Sequence, residues 1–311
     1  MFQHIPVLAE EVLTHLAVKP GGVYADGTLG GGGHAGLILE ASAPDGQIIA
    51  TDRDELALAA ARAHLAPYGD RVKAYHANYT ELADFVAQDY PEGIDGILLD
   101  IGVSSPQIDT PDRGFSYMHD APLDMRMDRS QGPSARDVVN ELSEQALHDL
   151  IKDYGEEKWA ARIAALICER RALAPIETTF QLVDVIERAI PKGAREKDSH
   201  VAKRTFQALR IATNDELGAL EKAIDRLVDV LQVGGRLAII SFHSLEDRIV
   251  KNKFKYLAAS CLCPPKWPVC TCGKVASVRI ITRKPITAGS LELDHNRRAA
   301  SAKLRVVEKI I

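Results

Sequence analysis

The most constraining feature of this sequence is a glycine-rich turn placed between an apolar segment and a helical pattern. It reads Asp26-Gly27-Thr28-Leu29-Gly30-Gly31-Gly32-Gly33-His34. Because glycine has no side chain, the backbone N–H groups of such a turn and the positive end of the following helix can approach a ligand closely. The turn predicts a nucleotide-type binding site, but dinucleotide enzymes use a related turn, and a glycine-rich loop can also have no ligand at all.

Short apolar runs alternate with helical patterns over the first hundred residues, which predicts a parallel sheet covered by helices on both faces. The predicted strands are Gly22 to Ala25, Gln47 to Thr51, Val72 to His76 and Gly96 to Leu99. The predicted helices between them lie near His34 to Ala41, Glu55 to Leu65 and Thr80 to Gln88.

The strand signal stops after Asp100 and returns only after residue 212. The intervening stretch predicts helices over Ser143 to Tyr154 and Glu156 to Leu173, and a third that begins at the capping box Thr178 to Gln181. Thr213 to Glu216 then predicts the start of a helix that ends at Gly234-Gly235, followed by strands at Arg236 to Ser241, Val278 to Thr282 and Lys303 to Val307. We therefore expect an α/β, Rossmann-like domain formed by residues 1–105 and 213–311, with an all-helical insertion at 106–212.

Composition agrees with a soluble enzyme and leaves a nucleic-acid partner open. The chain of 311 residues has a net charge of −5, and its first residues show neither a signal peptide nor a membrane anchor, so we expect a cytoplasmic protein. From residue 241 onward there are 14 Lys and Arg against 5 Asp and Glu, a net charge of +9, which leaves −14 for the first 240 residues. The basic end can face a polyanion, although solvated charges can also be uneven without a partner.

Three further residues follow predicted strands and give the turn its expected partners. Asp52 ends the second strand, where a carboxylate can accept hydrogen bonds from both hydroxyls of a ribose; Asp54 is the alternative, but it suits the start of the next helix. Tyr79 follows the third strand and can lie against an adenine ring, or serve the core. Asp100 ends the fourth strand, at the edge where open α/β sheets bind their ligands.

The loop from Asp100 to Gln107 favours an amino group as the acceptor of a methyl group. A carboxylate or carbonyl that accepts the N4–H of cytosine would localise the nitrogen lone pair, and Asp100 and Ser105 are the candidate catalytic residues. A cytosine C5 methyltransferase would need a cysteine nucleophile instead. Cys263, followed by Pro264, offers one only superficially, because it lies among three other cysteines.

Long segments of the chain resemble the bacterial 16S rRNA cytosine-N4-methyltransferase family. They are His4 to Leu8, Asp26 to His34, Gly96 to Gln107, Arg113 to Ser116, Leu123 to Met127, Tyr154 to Glu157, Arg204 to Ile211, Ser241 to Arg248 and Ser301 to Arg305. The resemblance spans essentially the whole chain.

The resemblance implies an S-adenosylmethionine-dependent methyltransferase that makes N4-methylcytidine in the decoding centre of 16S rRNA, in the small ribosomal subunit. Carried over by position, the family's cofactor contacts fall on Gly32, Gly33, His34, Asp52, Tyr79, Asp100 and Gln107. Among these, His34 and Gln107 come from the resemblance alone.

An RNA substrate requires basic residues that hold phosphates around an unpaired or flipped-out base. The main candidates are Arg113, Arg126, Arg204, Arg210 and Arg248, with His243 as a candidate for the base pocket. Lys203, Arg297 and Arg298 are further candidates in the same role. Each basic residue, taken alone, is more often an ordinary surface or ion-pair residue, and His243 is equally typical of a structural histidine.

Four of the five cysteines, Cys261, Cys263, Cys270 and Cys272, lie within one short segment. Their thiolates predict a candidate tetrahedral zinc site, although the C-x-C spacing is less common than C-x₂-C. Free thiols are the alternative.

Two other functions remain open from the residues. A nicotinamide dehydrogenase would use the same turn and Asp52, and an RNA-binding assembly factor would keep the cofactor pocket without catalysis.

Overall fold

The computed structural model describes residues 6–196, 199–264 and 269–311. His4, at the start of the first resembling segment, lies outside the described residues. Within them the chain forms seven strands and thirteen α-helices. In chain order these begin with α1 (Ala9–Leu16), β1 (Val23–Asp26), α2 (Gly33–Ala41), β2 (Gln47–Asp52), α3 (Glu55–Leu65), β3 (Val72–His76), α4 (Leu82–Asp89) and β4 (Ile94–Asp100).

Helices alone follow, and then the sheet resumes. The helices are α5 (Ser105–Asp109), α6 (Ala135–Glu141), α7 (Glu144–Gly155), α8 (Ala160–Leu173), α9 (Thr179–Ala189) and α10 (Lys203–Asn214). The rest is α11 (Glu216–Asp229), β5 (Leu231–Ser241), α12 (Ser244–Leu257), β6 (Val278–Ile280), α13 (Ser290–His295) and β7 (Lys303–Lys309).

The chain divides into two compact units. The sheet unit comprises Met1–Gly102 and Leu217–Ile311, and the inserted unit comprises Val103–Glu216. Among the described residues, no helix has the length and apolar character needed to span a membrane.

The sheet unit holds one seven-stranded sheet in the order β3-β2-β1-β4-β5-β7-β6. The first five strands in this order are parallel, whereas β7 runs antiparallel to both β5 and β6. The predicted α/β, Rossmann-like fold with a helical insertion is confirmed.

Burial on both faces explains why the central strands are continuous apolar runs. In β4, Ile97, Leu98 and Leu99 are fully buried, and they contribute alternately to two core clusters on the two faces of the sheet. The register pairs Asp26 with Ala50 and Leu98, and Asp100 with Ile240, so the carboxyl ends of these strands lie at one edge.

The inserted unit has a core of its own, formed by the buried faces of α6 to α10 with Leu123 and Met125. Capping fixes where several of its helices begin. The Thr178 side chain accepts the N–H of Gln181 at the start of α9, which is the predicted capping box.

Two predicted boundaries are wrong. Thr213 does not open a helix, because it lies inside α10, which ends at Asn214. Asp215 follows as the C-cap residue with a left-handed φ of 47°, and α11 begins at Glu216. Gly234 and Gly235 do not end that helix, since they lie inside β5. The register between β4 and β5 shifts there, so the glycines belong to an irregularity of the strand pair.

Candidate active site

The glycine-rich turn connects β1 to α2 at the carboxyl edge of the sheet. Gly32, with φ of 81°, precedes the first residue of the helix, Gly33. Gly27 is required by packing, because a Cβ there would lie 2.3 Å from Leu99 Cδ2 and 2.8 Å from Tyr79 Cβ. Gly31 is different: it is exposed, and a Cβ there would meet no atom of the described residues within 4 Å. Packing of the described residues therefore gives no reason for glycine at position 31.

Asp52 ties the turn to the second strand. Its Oδ2 accepts the backbone N–H of Gly30 at 2.7 Å, and its Oδ1 accepts the N–H of Asp54 at 2.8 Å. Burial raises the pKa of Asp52, while these two N–H donors act in the opposite direction. Asp54 instead begins α3, where its side chain accepts the N–H of Leu56. The two aspartates thus have different surroundings: Asp52 faces the turn, and Asp54 caps a helix.

Thr28 connects the first and fourth strands. Its backbone N–H and its hydroxyl both donate to Asp26 Oδ1, at 3.0 and 3.4 Å, and its Oγ1 accepts the backbone N–H of Asp100 at 2.6 Å. The sequence alone singled out neither Thr28 nor Asp26. A threonine two residues after a strand-terminal aspartate was the signal available for this contact.

Asp100 is the residue with the most unusual environment. Its Oδ1 is buried, and among the described residues no group donates a hydrogen bond to that atom. Burial, above all, and the nearby charges of Asp26 and Glu246 together raise the pKa of Asp100 to about 8. Asp26 is also buried, and burial raises its pKa to about 7. A buried carboxylate oxygen without a donor is costly to a fold unless it meets a ligand.

His34 lies beside this carboxyl group. Its Nε2 faces the carbonyl oxygen of Val7 at 2.9 Å, and its Nδ1 lies 3.7 Å from Asp100 Oδ2. Because a carbonyl can only accept, Nε2 carries a proton, and Nδ1 is the atom turned toward Asp100. The resemblance pointed to His34, and the structure supplies a physical role for it.

Glu246 was not predicted, yet it is 1% exposed and helps to set the charge of this edge. It accepts the backbone N–H of Phe242 at 2.8 Å and that of His243 at 3.2 Å. His243 precedes α12 as its N-cap residue, and its Nε2 lies 3.0 Å from Glu246 Oε1. The structure therefore gives His243 a capping role; its predicted part in a base pocket remains a prediction.

The predicted cofactor residues are brought together in part. Gly32, Gly33, His34, Asp52, Tyr79 and Asp100 all belong to the sheet unit and to its glycine-turn edge. Gln107 and Ser105 belong to the inserted unit, where Ser105 opens α5 and Gln107 closes a capping box with Ser104. Gln107 Oε1 accepts the Ser104 N–H at 2.9 Å, so its carbonyl oxygen already has one donor.

Four predicted RNA-binding arginines have partners within the inserted unit. Arg113 is 4% exposed and donates to the carbonyl oxygens of Arg126 and Met127. Arg126 is paired with Asp124, Arg204 with Glu196, and Arg210 with Glu216. In this structure these guanidinium groups stabilise the unit itself. The exposed basic candidates are Lys203, Arg248, Arg297 and Arg298.

The four clustered cysteines lie between α12 and β6. Their Sγ atoms are all within 4.8 Å of one another. Cys168, the fifth, is half-buried on α8 beside the core of the inserted unit.

Comparison with known proteins identifies the family. A family model described as the MraW methylase family matches residues 1–310. The chain belongs to the MraW methylase family. This membership makes the chain a methyltransferase, and so excludes the dehydrogenase alternative.

Relatives within the MraW methylase family are similar along their full length. The ribosomal RNA small subunit methyltransferase H of Citrifermentans bemidjiense is 58% identical over 309 residues, which is 99% of this chain and 99% of the relative. The protein of the same name from Heliobacterium modesticaldum is 54% identical over 311 residues, covering 100% of this chain and 99% of the relative. The predicted family is confirmed.

Solved structures show weaker likeness. A SAM-dependent O-methyltransferase from Thermotoga maritima has a TM-score of 0.42 at 12% identity, and the match covers 99% of this chain and 68% of that one. A putative methyltransferase from Streptococcus mutans in complex with SAH has a TM-score of 0.45 at 11% identity, and the match covers both chains fully. The family assignment comes from the family model and the relatives.

Proposed function

We propose that this chain transfers a methyl group from S-adenosylmethionine to the exocyclic N4 of a cytidine in the decoding centre of 16S rRNA, by direct in-line displacement. The observation that carries the proposal is Asp100 at the end of β4, whose carboxyl group has one buried oxygen with no donor among the described residues. The names of the 58% identical relatives support small-subunit ribosomal RNA as the substrate.

The residues present at the glycine-turn edge fit the cofactor. Gly31 leaves open space above the turn, and the N-terminus of α2 begins beside it. Asp52 holds one N–H donor on each oxygen, so each oxygen can accept one more hydrogen bond, as two ribose hydroxyls require. We assign Gly32, Gly33, His34, Asp52, Tyr79, Asp100 and Gln107 as the residues that hold it. When bound, the cofactor supplies an electrophilic methyl group on a positively charged sulfur.

Asp100 is the proposed catalytic acceptor. The N4 lone pair of cytosine is delocalised into the ring, and a carboxylate that accepts an N4–H bond localises it for attack and stabilises the positive charge that develops on nitrogen. With a pKa raised to about 8, Asp100 is mostly protonated at neutral pH in the chain alone. A cationic ligand at this edge lowers that pKa, because an opposite charge nearby favours the ionised form.

His34 is a positioning residue for this step. Its Nε2–H bond to Val7 fixes the ring, and its Nδ1 lies near enough to Asp100 Oδ2 for the charge of a protonated ring to favour the carboxylate. Ser105 is retained as a second proposed catalytic residue, because it follows Asp100 in the same loop of the sequence and offers a hydroxyl and a carbonyl.

We propose that the inserted unit takes part in recognising the RNA, together with the basic carboxyl-terminal part of the chain. A cytosine amino group is stacked inside a helix, so the enzyme must take an unpaired or flipped-out base. Side chains exposed to solvent can reach phosphates more readily than a buried one such as Arg113, which favours the exposed Lys203, Arg248, Arg297 and Arg298. The proposed partner is the small ribosomal subunit, and the proposed location is the cytoplasm.

The product nucleoside is the direct test. Small ribosomal subunits from cells that lack the enzyme would be incubated with the purified chain and labelled S-adenosylmethionine, digested to nucleosides and analysed by mass spectrometry. We expect N4-methylcytidine with wild type and at most a trace with Asp100→Ala. C5-methylcytidine would contradict direct displacement, and equal transfer by both proteins would remove Asp100 from the mechanism. Binding of S-adenosylmethionine and subunits without transfer would instead indicate an assembly factor.

A further inference from the structure

The segment between α12 and β6 brings four thiols to one point. Cys270 Sγ lies 3.4 Å from Cys261 Sγ, 3.9 Å from Cys263 Sγ and 3.5 Å from Cys272 Sγ. Cys272 Sγ lies 3.9 Å from Cys261 Sγ. All four are free thiols.

These separations match the coordination sphere of one metal ion. A regular tetrahedron with zinc–sulfur bonds of about 2.3 Å has sulfur–sulfur edges of about 3.8 Å. The four separations given above, 3.4 to 3.9 Å, lie around that value. Disulfide-bonded sulfurs lie much closer, at about 2.05 Å. A multinuclear iron–sulfur cluster has to fit several atoms between its thiolates, which this spacing does not allow.

Backbone N–H groups are aimed at three of the sulfurs. Leu262 donates to Cys272 Sγ at 3.3 Å, Cys263 to Cys261 Sγ at 3.4 Å and Thr271 to Cys263 Sγ at 3.4 Å. Such donors stabilise negative charge on sulfur, and thiolate is the form that binds metal. The backbone at both ends of the segment is therefore arranged around thiolates rather than around neutral side chains.

The described residues of this segment form no hydrophobic core. None of those from 258 to 264 and 269 to 276 is buried, and the larger apolar side chains among them are exposed: Leu262 is 49% exposed, Val269 68% and Val275 61%. At the base of the segment, the Ser277 N–H donates to the Leu257 carbonyl at 3.0 Å. Short segments that bury little apolar surface usually need a metal ion or disulfides to fold.

We propose that Cys261, Cys263, Cys270 and Cys272 bind one structural zinc ion that folds the segment between α12 and β6. Four thiolates complete a tetrahedral site with no open position, so the ion has a structural and not a catalytic role. Four thiolates at tetrahedral spacing favour zinc or iron among the biological metals. We choose zinc because it has no redox chemistry and so suits a purely structural site. Methyl transfer is not part of this assignment, so it can succeed or fail independently of the proposed function.

Metal content tests the site directly. The full chain would be purified with a reductant and without chelator, and its metals measured by mass spectrometry, for wild type, Cys261→Ser, Cys270→Ser and the control Cys168→Ser. We expect about one zinc per chain in wild type and in Cys168→Ser, and a loss of at least about tenfold in the other two. Cys168 is the matched control because it is the one cysteine outside the cluster.

A second measurement keeps the proposal falsifiable if a serine variant does not fold. Wild type stripped of zinc and loaded with Co²⁺ is expected to show the visible absorption of tetrahedral cobalt and a sulfur-to-cobalt charge-transfer band. Trypsin cleavage after Lys274 is expected to be at least about tenfold faster in the stripped protein, because the segment then loses its order. Wild type with no metal, with iron in place of zinc, or with zinc retained in both cluster variants would overturn the proposal.

Discussion

Three strand-terminal aspartates of the sheet unit and two arginines of the inserted unit have opposite surroundings. In the sheet unit, Asp26, Asp52 and Asp100 end three adjacent strands, and among the described residues none of them forms an ion pair with Lys or Arg. In the inserted unit, Arg126 and Arg210 each direct two guanidinium nitrogens at one carboxylate.

This difference separates residues that lower the stability of the fold and serve function from residues that stabilise the fold. Buried carboxylates without cations raise the free energy of the folded state, and folds retain such groups chiefly where a ligand compensates them. A bidentate arginine–carboxylate pair is already compensated, and removing one partner exposes that cost. We therefore expect the chemistry at the carboxyl edge of the sheet, and RNA contacts among the exposed cations.

Asp100→Asn is expected to have the largest effect, because it removes the acceptor charge and keeps the shape. We expect the single-turnover rate of methyl transfer to fall by about 10³-fold. The matched control is Asp45→Asn, an exposed aspartate just before the amino end of β2, which should leave the rate unchanged. A fall of less than about threefold in Asp100→Asn would place the catalytic acceptor elsewhere.

Stability against pH checks the same residue by another route. The folded-state pKa of Asp100, about 8, lies above its ordinary value of 3.8, so wild type loses stability as pH rises between these values, while asparagine does not titrate. We expect the Tm of Asp100→Asn relative to wild type to rise from about pH 5 to about pH 8.5. A relative Tm that falls over this range would show that Asp100 is stabilised as a carboxylate in the folded chain.

The pair Asp52→Asn and Asp54→Asn sharpens the assignment of the ribose acceptor. Asp52→Asn should weaken binding of S-adenosylhomocysteine by about 10- to 100-fold, because it removes a charged acceptor that faces the turn. Asp54→Asn should leave affinity unchanged, since asparagine caps helices as well as aspartate does. Isothermal titration measures both, and a larger loss in Asp54→Asn would reverse the assignment.

Two glycines of the turn separate packing from ligand access. Gly27→Ala should lower the free energy of unfolding by about 1–3 kcal/mol, and the Tm by several degrees, because its Cβ would overlap Leu99 and Tyr79. Gly31→Ala should leave the Tm unchanged and weaken S-adenosylhomocysteine binding by about tenfold, because no described residue lies within 4 Å of the new methyl group and a bound ligand would meet it. Unchanged affinity in Gly31→Ala would mean that the cofactor does not lie over this residue.

The smallest expected effects come from the basic residues of α10. Lys203 is exposed and has no ion pair among the described residues, so Lys203→Ala should weaken RNA binding about threefold and reduce the salt slope by about 1. Arg210→Ala should instead lower the free energy of unfolding by about 1–3 kcal/mol, and with it the Tm, because Glu216 loses two donors. Filter-binding titrations across salt concentrations measure the first effect, and thermal melts measure the second. A loss of RNA affinity in Arg210→Ala together with a loss of stability in Lys203→Ala would contradict both expectations.

Much of the fold could be predicted from the sequence because its signals are local. The seven strands were predicted near their observed positions, since each is an apolar run between turn residues, and α3 and α9 follow from caps at Asp54 and Thr178. The start of α11 was predicted wrongly because Thr213 and Glu216 have the spacing of a capping box, while the backbone turns at Asp215. The positions of six helices were not predicted, namely α1, α5, α6, α10, α12 and α13.

The candidate site could be predicted only in part, and the reason is again physical. The positions of Asp26, Asp52 and Asp100 at strand ends follow from the alternation of apolar runs and helical patterns along the chain. That Thr28 joins two of these strands, that Glu246 adds its charge to Asp100, and that Arg113 is buried all depend on residues distant in sequence.

The glycine turn, the strand-terminal aspartates and the family segments were therefore determined by sequence, because each is a property of neighbouring residues. The tertiary structure alone decided which charges are compensated. It leaves Asp100 Oδ1 buried without a donor, pairs the arginines of the inserted unit, and gathers four thiols at tetrahedral spacing. Burial and distance set the energy of a charge or a metal ligand, and both come from packing of segments that the sequence keeps far apart.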